Sequence, residues 1–202
     1  MTGATTVWIA ILGGINGAGK STTAASLRAD PDFANAEFLD PDRIAASIAG
    51  RRPDLNPAAA NFAALREVAA TIDRLIEARQ PFVAETVLAN QSYRRICIDA
   101  KGRGMLVRLV FVGVPTVEDS IARVALRVAK GGHDVPEADI RRRWPRTHEN
   151  LAWFVQHADA VDVFANTWDA RPKLVATARA GQVALHDPET LPAVTQVLQP
   201  LL

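Results

Sequence analysis

Residues 14–21, Gly-Ile-Asn-Gly-Ala-Gly-Lys-Ser, are the segment that most limits how this chain can fold. They match the phosphate-loop pattern G-x-x-x-x-G-K-[ST], in which glycine-rich backbone N–H groups wrap a triphosphate and the lysine reaches its β- and γ-phosphates. The apolar run at residues 7–12 is typical of a strand buried on both faces. The residues after Lys20 continue as a helical pattern, whose N-terminal dipole favours anions. This strand–loop–helix order predicts a nucleotide site.

The motif also predicts the cofactors, ATP and Mg²⁺, because the serine hydroxyl of a phosphate loop is a ligand of the metal. Ser21 is therefore the predicted metal ligand. The predicted nucleotide-binding residues are consecutive: Gly14, Ile15, Asn16, Gly17, Ala18, Gly19, Lys20, Ser21 and Thr22. The alternative is a glycine-rich turn that binds nothing, which the strand–loop–helix setting disfavours.

Apolar runs alternate with helical patterns along the rest of the chain. Further strands are predicted at residues 36–39, 81–84, 106–114, 160–164 and 182–185. Helices are predicted at residues 61–80 and 93–101, from the capping residue Thr116, and from Leu191. Strands separated by helices, with a phosphate loop after the first strand, predict a P-loop NTPase-type α/β fold with a doubly wound parallel sheet flanked by helices. We expect residues 1–202 to form a single domain.

Composition narrows the class of protein. The formal net charge is +1, so nothing in the overall charge indicates a nucleic-acid or membrane-surface partner. No basic segment precedes the first apolar run, and no segment reaches the ~20 apolar residues that span a bilayer. Cys97 is the single cysteine, which excludes an internal disulfide and favours a buried thiol. These features predict a cytoplasmic protein with no membrane partner.

Polar residues follow the second and third predicted strands. Ligands of such folds bind beyond the carboxyl ends of the strands, so Asp40, Asp42, Glu85 and Thr86 are candidate site residues. Asp40 before a proline is equally typical of a helix N-cap, and Asp42 in the first helical turn is favourable in any case. Glu85 is expected either to hold substrate hydroxyls or a Mg²⁺-bound water, or simply to cap the strand.

A basic stretch extends over residues 123–146, with seven cations against three carboxylates, a net +4. Arg123, Arg127 and Lys130 recur at helical spacing, Gly131 and the residue after it indicate a helix end, and Pro136 opens another helix. We predict an arginine-rich helical lid over about residues 123–146 that closes on the γ-phosphate. The alternatives are a solvated basic helix or an RNA-binding surface; the lack of interleaved aromatic residues disfavours nucleic acid.

Five segments together resemble the zeta toxin-like branch of P-loop kinases, and in particular its compact stand-alone members, often labelled predicted ATPases. In order, they are residues 13–22, 38–45, 82–88, 131–137 and 146–151. The resemblance covers about three quarters of the chain and is far more specific than the phosphate loop alone.

The resemblance implies an activity and a set of residue roles. Zeta toxins phosphorylate the sugar 3′-hydroxyl of UDP-N-acetylglucosamine with ATP and Mg²⁺. The family's base falls on Asp42 and its phosphate-loop lysine on Lys20, while Glu85 and Thr86 match its substrate-side pair. One γ-phosphate arginine falls on Arg127. The second is expected within residues 141–143, where we select Arg141, although simple spacing points to His133.

These roles predict a kinase in which Asp42 accepts a proton from a substrate hydroxyl while Lys20, Arg127 and a lid arginine stabilise the transferring phosphoryl group. The expected partners are ATP and a small-molecule hydroxyl acceptor, for which a UDP-sugar is one candidate. An antibiotic, a nucleoside or a polynucleotide 5′-hydroxyl would use the same residues. A nucleotide-dependent switch with little turnover is the alternative from another class. An antitoxin partner is not indicated by any motif.

Overall fold

The computed structural model describes residues 7–168 and 171–202. Its strands are β1 (Trp8–Gly13), β2 (Glu37–Leu39), β3 (Phe82–Thr86), β4 (Leu106–Gly113), β5 (Ala160–Ala165), β6 (Lys173–Arg179) and β7 (Gln182–Leu185). Its α-helices are α1 (Lys20–Ala29), α2 (Pro41–Arg51), α3 (Pro57–Glu77), α4 (Ser92–Gly102), α5 (Val117–Ala129), α6 (Glu137–His157) and α7 (Pro192–Leu198). Short 3₁₀ turns cover Pro31–Phe33 and Gln199–Leu201.

The strands form one seven-stranded sheet in the order β2-β3-β1-β4-β5-β6-β7. The first five strands in this sheet order are parallel, which confirms the predicted P-loop NTPase-type α/β fold. Leu12 pairs with Glu85 and Gly13 with Thr86, while Leu39 pairs with Ala84. The end of β3 therefore lies between the phosphate loop and the segment that follows β2.

Helices cover both faces of the sheet, as the term doubly wound requires. Ile9 and Ile11 of β1 belong to one buried cluster, and Ala10 and Leu12 belong to the cluster on the other face. The first cluster includes side chains from α3, α4, α6 and α7, and the second includes side chains from α1 and α5. Successive side chains of β1 point to opposite faces of the sheet, and both faces are covered by helices. The apolar run of β1 is therefore continuous.

The sheet ends in an antiparallel hairpin that the sequence analysis did not predict. β6 pairs antiparallel with β5, and β7 pairs antiparallel with β6. The turn between them has Ala180 at φ 50° and Gly181 at φ 80°, the two positive values of a tight hairpin turn. β6 was missed because it begins with Lys173 and ends with Arg179, and its apolar run of three residues at 174–176 is short. The sheet is therefore mixed, with a parallel core.

The helices of the predicted lid begin and end close to the expected residues. Thr116 caps α5 through a capping box with Asp119, as predicted. α5 ends before Lys130, and α6 begins after Pro136, so residues 130–136 form the connection. Pro145 lies inside α6. Among the described residues, no helix is both long and apolar enough to cross a membrane.

Candidate active site

A cleft of about 1270 Å³ opens at the carboxyl ends of β1, β2 and β3. One side, here called the strand-end wall, consists of residues 14–22, 40–42 and 85–86. The other side, here called the helical wall, consists of α5, residues 130–136 and α6. Most of the predicted site residues contribute to the cleft: Asn16, Gly17, Gly19, Lys20, Ser21, Thr22, Asp40, Asp42, Glu85, Thr86 and Arg127.

Two glycines of the phosphate loop lie where a Cβ atom would not fit. A Cβ on Gly14, which has φ 150°, would lie 2.2 Å from the backbone oxygen of Val112 in β4. Gly19 has φ 95° and caps α1 without a side-chain hydrogen bond, so the first helical N–H groups remain available to a ligand. The Asn166 side chain leaves no space for a Cβ on Gly19. The loop is therefore fixed by its neighbours as well as by its own sequence.

Two hydrogen bonds tie carbonyl groups of the loop to distant parts of the chain. Ser120 Oγ in α5 donates to the Asn16 carbonyl at 2.6 Å. Asn166 Nδ2, after β5, donates to the Ala18 carbonyl at 2.7 Å. These two bonds fix the loop backbone to α5 and to the segment after β5. Neither Ser120 nor Asn166 was predicted as a site residue, although Asn166 follows a parallel strand and the strand-end argument applies to it.

Lys20 is buried at the base of the loop, and its Nζ donates to the Ile15 carbonyl at 3.2 Å. Burial lowers the pKa of Lys20 below its ordinary 10.5, while the nearby carboxylates of Glu85 and Asp42 act in the opposite direction. The ammonium group is thus desolvated and has only partial compensation. An anionic phosphate group would supply the missing counter-charge.

The carboxylates of the strand-end wall have different tasks. The Asp40 side chain accepts hydrogen bonds from the N–H groups of Asp42 and Arg43 and so caps α2, which confirms the helix-start interpretation of this residue. Asp40 also lines the cleft, so a substrate role for it remains a prediction. Asp42 lies in the first turn of α2 and is exposed in the cleft, where its carboxylate is accessible to a ligand.

Glu85 lies at the end of β3, with its Oε1 3.5 Å from the Ser21 hydroxyl. Burial raises the pKa of Glu85 above its ordinary 4.5, and Lys20 partly opposes this shift. Ser21 and Glu85 are hard oxygen donors of the kind that Mg²⁺ prefers. Mg²⁺ sites at phosphate loops usually combine one or two such groups with phosphate oxygens and water, and this pair fits that pattern. Among the described residues, no group of three or more His, Cys, Asp or Glu side chains could hold a metal alone.

Thr86 supports the loop that follows β3. Its Oγ1 accepts a hydrogen bond from the Leu88 N–H at 3.0 Å, and Leu88 has the unusual φ of 61°. Tyr93 donates its hydroxyl to the Glu85 carbonyl at 3.4 Å, and burial raises the pKa of Tyr93 to about 12. This neutral phenol thus braces the backbone that positions Glu85, a role that the sequence analysis did not anticipate.

Several arginines of the helical wall line the cleft, and two of them have contacts that bear on a bound phosphate. Arg127 in α5 donates to the His133 carbonyl at 2.7 Å, and its buried Nε has no partner among the residues that the structure describes. Arg143 in α6 donates to Oδ1 of Asn16 at 3.1 Å and so bridges the lid to the phosphate loop. His133 also lines the cleft.

Arg141 does not lie where a catalytic residue would need to be. It is absent from the cleft lining of the described residues, and its guanidinium pairs with Glu118 at 3.0 Å and with Glu137 at 2.8 Å on the outer side of the lid. The prediction that Arg141 is the second arginine for the γ-phosphate is therefore corrected, because its position in α6 directs it away from the cleft. A turn of 3.6 residues places Arg143, two positions later, on a different side of α6.

Trp168 and Arg123 mark the far end of the cleft. The Arg123 guanidinium lies 4.7 Å from the Trp168 ring centroid and donates to the Asn166 carbonyl at 2.9 Å. Trp168 Nε1 donates to Asp119 at 2.8 Å. This contact fixes the segment after β5 against α5, beside the phosphate loop. Trp168 was not among the residues predicted to form the site.

The AAA domain family model AAA_33 matches residues 9–149, which is more than two thirds of the chain. The chain belongs to this family of P-loop kinase-like domains. A protein of Haemophilus influenzae that is described only as uncharacterized is 32% identical over 131 residues, which is 65% of this chain and 88% of that protein.

Solved structures share the fold. The complex AvrRxo1-ORF1:AvrRxo1-ORF2 with sulphate ions superposes with a TM-score of 0.74 at 18% identity, over 95% of this chain and 64% of that chain. The PezAT chromosomal toxin–antitoxin system of Streptococcus pneumoniae gives a TM-score of 0.66 at 15% identity, over 98% of this chain and 88% of that one. This chain therefore spans slightly less than two thirds of the AvrRxo1-ORF1 complex chain. These matches confirm the fold and the resemblance to zeta toxin-like P-loop kinases.

Proposed function

We propose that this protein is an ATP-dependent phosphotransferase that moves the γ-phosphate of ATP to a hydroxyl group of a small molecule. The observation that carries the proposal is that one cleft is lined by phosphate-loop residues that include Lys20 and Ser21, by the accessible Asp42 and by several arginines of α5 and α6. The membership of a P-loop kinase-like family supports it. An AvrRxo1-ORF1:-ORF2 complex with ATP, which shares the fold, has a TM-score of 0.73.

The nucleotide would lie along the strand-end wall. The N–H groups at the start of α1 and the Lys20 ammonium would hold the phosphates, which accounts for the cost of burying Lys20 without a full partner. Ser21 and Glu85 are the residues that would hold Mg²⁺, directly or through water. Bound there, the ion would neutralise charge on the β- and γ-phosphate oxygens. Glu85 would then bind the metal as well as the acceptor.

Asp42 would accept the proton of the acceptor hydroxyl. It is exposed in the cleft, and the first turn of α2 holds it because Asp40 caps that helix. Arg127 and Arg143 would stabilise the charge on the transferring group. Arg127 has an unused buried Nε, and Arg143 already reaches the phosphate loop at Asn16. We assign to Arg143 the role that the sequence analysis gave to Arg141.

Several classes of acceptor are compatible with these residues. UDP-N-acetylglucosamine is a candidate because of the resemblance to zeta toxins, and a nucleoside, an antibiotic or a polynucleotide 5′-hydroxyl would use the same residues. A switch that binds ATP with little turnover is the alternative from another class. The accessible Asp42 carboxylate favours the kinase, since a switch needs no base for an acceptor hydroxyl.

The test is a search for phosphorylated products by mass spectrometry. Purified protein receives ATP and Mg²⁺ with UDP-N-acetylglucosamine, a pool of cell metabolites or a 5′-hydroxyl oligonucleotide, in parallel with the Lys20→Ala variant. We expect a phosphorylated product that the variant does not form. A protein that binds ATP but phosphorylates none of these acceptors would contradict the kinase and favour the switch.

A further inference from the structure

Most cationic side chains of the cleft already have a protein partner. Their partners are a carbonyl for Lys20, Arg123 and Arg127, the Asp139 carboxylate for Arg142, and Asn16 Oδ1 for Arg143. Within residues 7–168 and 171–202, Arg146 lines the same cleft but makes no hydrogen bond or ion pair. Lys130 shares this property, but it follows the end of α5 and offers a compact ammonium instead of a planar fork. Among the described residues, Arg146 is thus the cleft-lining arginine without a hydrogen bond or an ion pair.

Arg146 lies on the face of α6 that turns toward the cleft. The cleft-lining residues of this helix are Asp139, Arg142, Arg143 and Arg146, which recur at helical spacing. Arg143 reaches the phosphate loop, and Arg146 lies three residues farther along, about 4.5 Å along the helix axis. The two arginines therefore leave the same face of α6 about one turn apart, and only Arg143 bonds to the phosphate loop among the described residues.

The next residues of α6 show which part Arg146 serves. Thr147 Oγ1 donates to the Val87 carbonyl at 3.0 Å, and Asn150 Nδ2 donates to the Leu88 carbonyl at 2.8 Å. This turn of α6 is therefore fixed to the segment after β3, which lines the cleft beside Thr86 and Asn90. Arg146 therefore belongs to the turn of α6 that is bound to the segment after β3, beside Thr86, which the resemblance assigns to the substrate side.

We propose that Arg146 binds an anionic group of the acceptor, a phosphate or a carboxylate, while the acceptor's hydroxyl faces Asp42. A guanidinium fork matches these planar or tetrahedral oxyanions with two parallel hydrogen bonds. The strand-end wall carries Asp40, Asp42 and Glu85, so a negatively charged acceptor needs a separate cation to offset their repulsion. The inference rests on the proposed kinase activity and narrows its substrates to hydroxyl compounds that are already negatively charged.

A kinetic test compares related acceptors that lack or carry an anionic group. The matched sets are glucose, glucose 6-phosphate and gluconate; a nucleoside and its 5′-monophosphate; and N-acetylglucosamine and its UDP derivative. We expect kcat/KM of the wild type to be about tenfold or more higher for charged members, because a hydrogen bond to a charged group is worth that much. The sugar phosphate and the sugar acid distinguish the two kinds of anion.

Variants separate anion recognition from catalysis and folding. Arg146→Gln should remove most of the charge preference by raising the acceptor KM, with the KM for ATP unchanged, and Arg146→Lys should restore part of it. Arg103→Ala, an exposed arginine next to the amino end of β4, should behave as wild type. Equal use of charged and neutral acceptors by the wild type would overturn the inference, as would an Arg146→Gln defect confined to the KM for ATP.

A binding test does not depend on finding the acceptor. Protein saturated with a non-hydrolysable ATP analogue and Mg²⁺ is titrated calorimetrically with inorganic phosphate. Wild type and Arg103→Ala should bind phosphate, and Arg146→Gln should bind it about tenfold or more weakly. No phosphate binding by the loaded wild type would overturn the anion site. Phosphate binding through Arg146 without any phosphorylated product would leave the site in place and contradict the kinase.

Discussion

The strand-end wall and the helical wall face the same cleft but are built differently. In the strand-end wall, Gly14 touches the β4 backbone, Lys20 is buried and Asp40 caps a helix, so each group is fixed by backbone or core contacts. In the helical wall, residues 130–134 are exposed, and the arginines contact side-chain carboxylates, loop carbonyls or the Asn16 side chain. We therefore expect the strand-end wall to hold a ligand in one geometry and the helical wall to rearrange around it.

The largest expected effect tests whether the strand-end wall performs the chemistry. Asp42→Asn should lower kcat for phosphoryl transfer by about 10²–10⁴-fold, because a positioned general base contributes that much. The Kd for ATP should stay within about threefold, since Asp42 is not part of the phosphate loop. The exposed Asp32→Asn is the matched control and should transfer at the wild-type rate. A near-normal kcat in Asp42→Asn would show that Asp42 is not the general base.

The helical wall is tested by two arginines of α6 that differ in position. Arg143→Ala should lower kcat by about 10²-fold, the usual cost of losing one donor to a developing negative charge. Arg141→Ala should leave kcat within about twofold, because its ion pairs with Glu118 and Glu137 are exposed and such pairs contribute little. Steady-state kinetics on both variants decide the assignment. A large loss in Arg141→Ala, with a small one in Arg143→Ala, would reverse it.

Rigidity of the strand-end wall is tested by adding one methyl group. Gly14→Ala would place its Cβ 2.2 Å from the Val112 backbone oxygen, which cannot move aside within the sheet. We expect the Tm to fall by about 5 °C or more. Gly50→Ala meets nothing within 4 Å in α2 and should raise the Tm slightly. Thermal unfolding followed by circular dichroism would refute a rigid loop if the Tm of both variants changed equally.

The smallest expected effect concerns Glu85 and depends on pH. Its pKa is raised in the folded protein, so folding is favoured by the protonated form below about pH 4.5 and loses that contribution as the pH rises through the folded-state pKa. Glu85→Gln should therefore raise the Tm of the ligand-free protein slightly at pH 7, with less difference at low pH.

The same variant should lose activity, because a neutral amide is a poorer partner for Mg²⁺. Differential scanning calorimetry across pH, with kinetics at pH 7, measures both effects. A Glu85→Gln protein that is less stable than wild type at pH 7 would show that Glu85 is a structural ion-pair partner instead of a group held at a cost for function.

The difference between the walls also explains what could be predicted from the sequence. The phosphate loop, the apolar first strand and the strand-end carboxylates are local patterns, and the fold follows from their order. Asn166 follows β5 and could have been found by the same strand-end argument. Ser120 carries no such signal, since its bond to the Asn16 carbonyl joins residues that only the fold brings together.

The helical wall was predicted as a region but not residue by residue. Helical spacing indicated that residues 123–146 contain an arginine-rich element, yet the side of α6 that faces the cleft depends on how the helix packs. Thr147 and Asn150 fix that side through bonds to the loop after β3, and they bring Arg143 and Arg146 inward with them. β6 was missed for a related reason, because its ends are charged and its burial depends on β5.

The most direct test of the central claim follows the γ-phosphate itself. Wild-type protein is incubated with ATP labelled with ¹⁸O in the γ-phosphate, Mg²⁺ and a metabolite pool, and the label is located by mass spectrometry. The kinase account predicts labelled phosphate on the hydroxyl of an organic acceptor. Label found only in inorganic phosphate would indicate an ATPase, and label that stays in ATP despite binding would indicate a switch; either result would contradict the account.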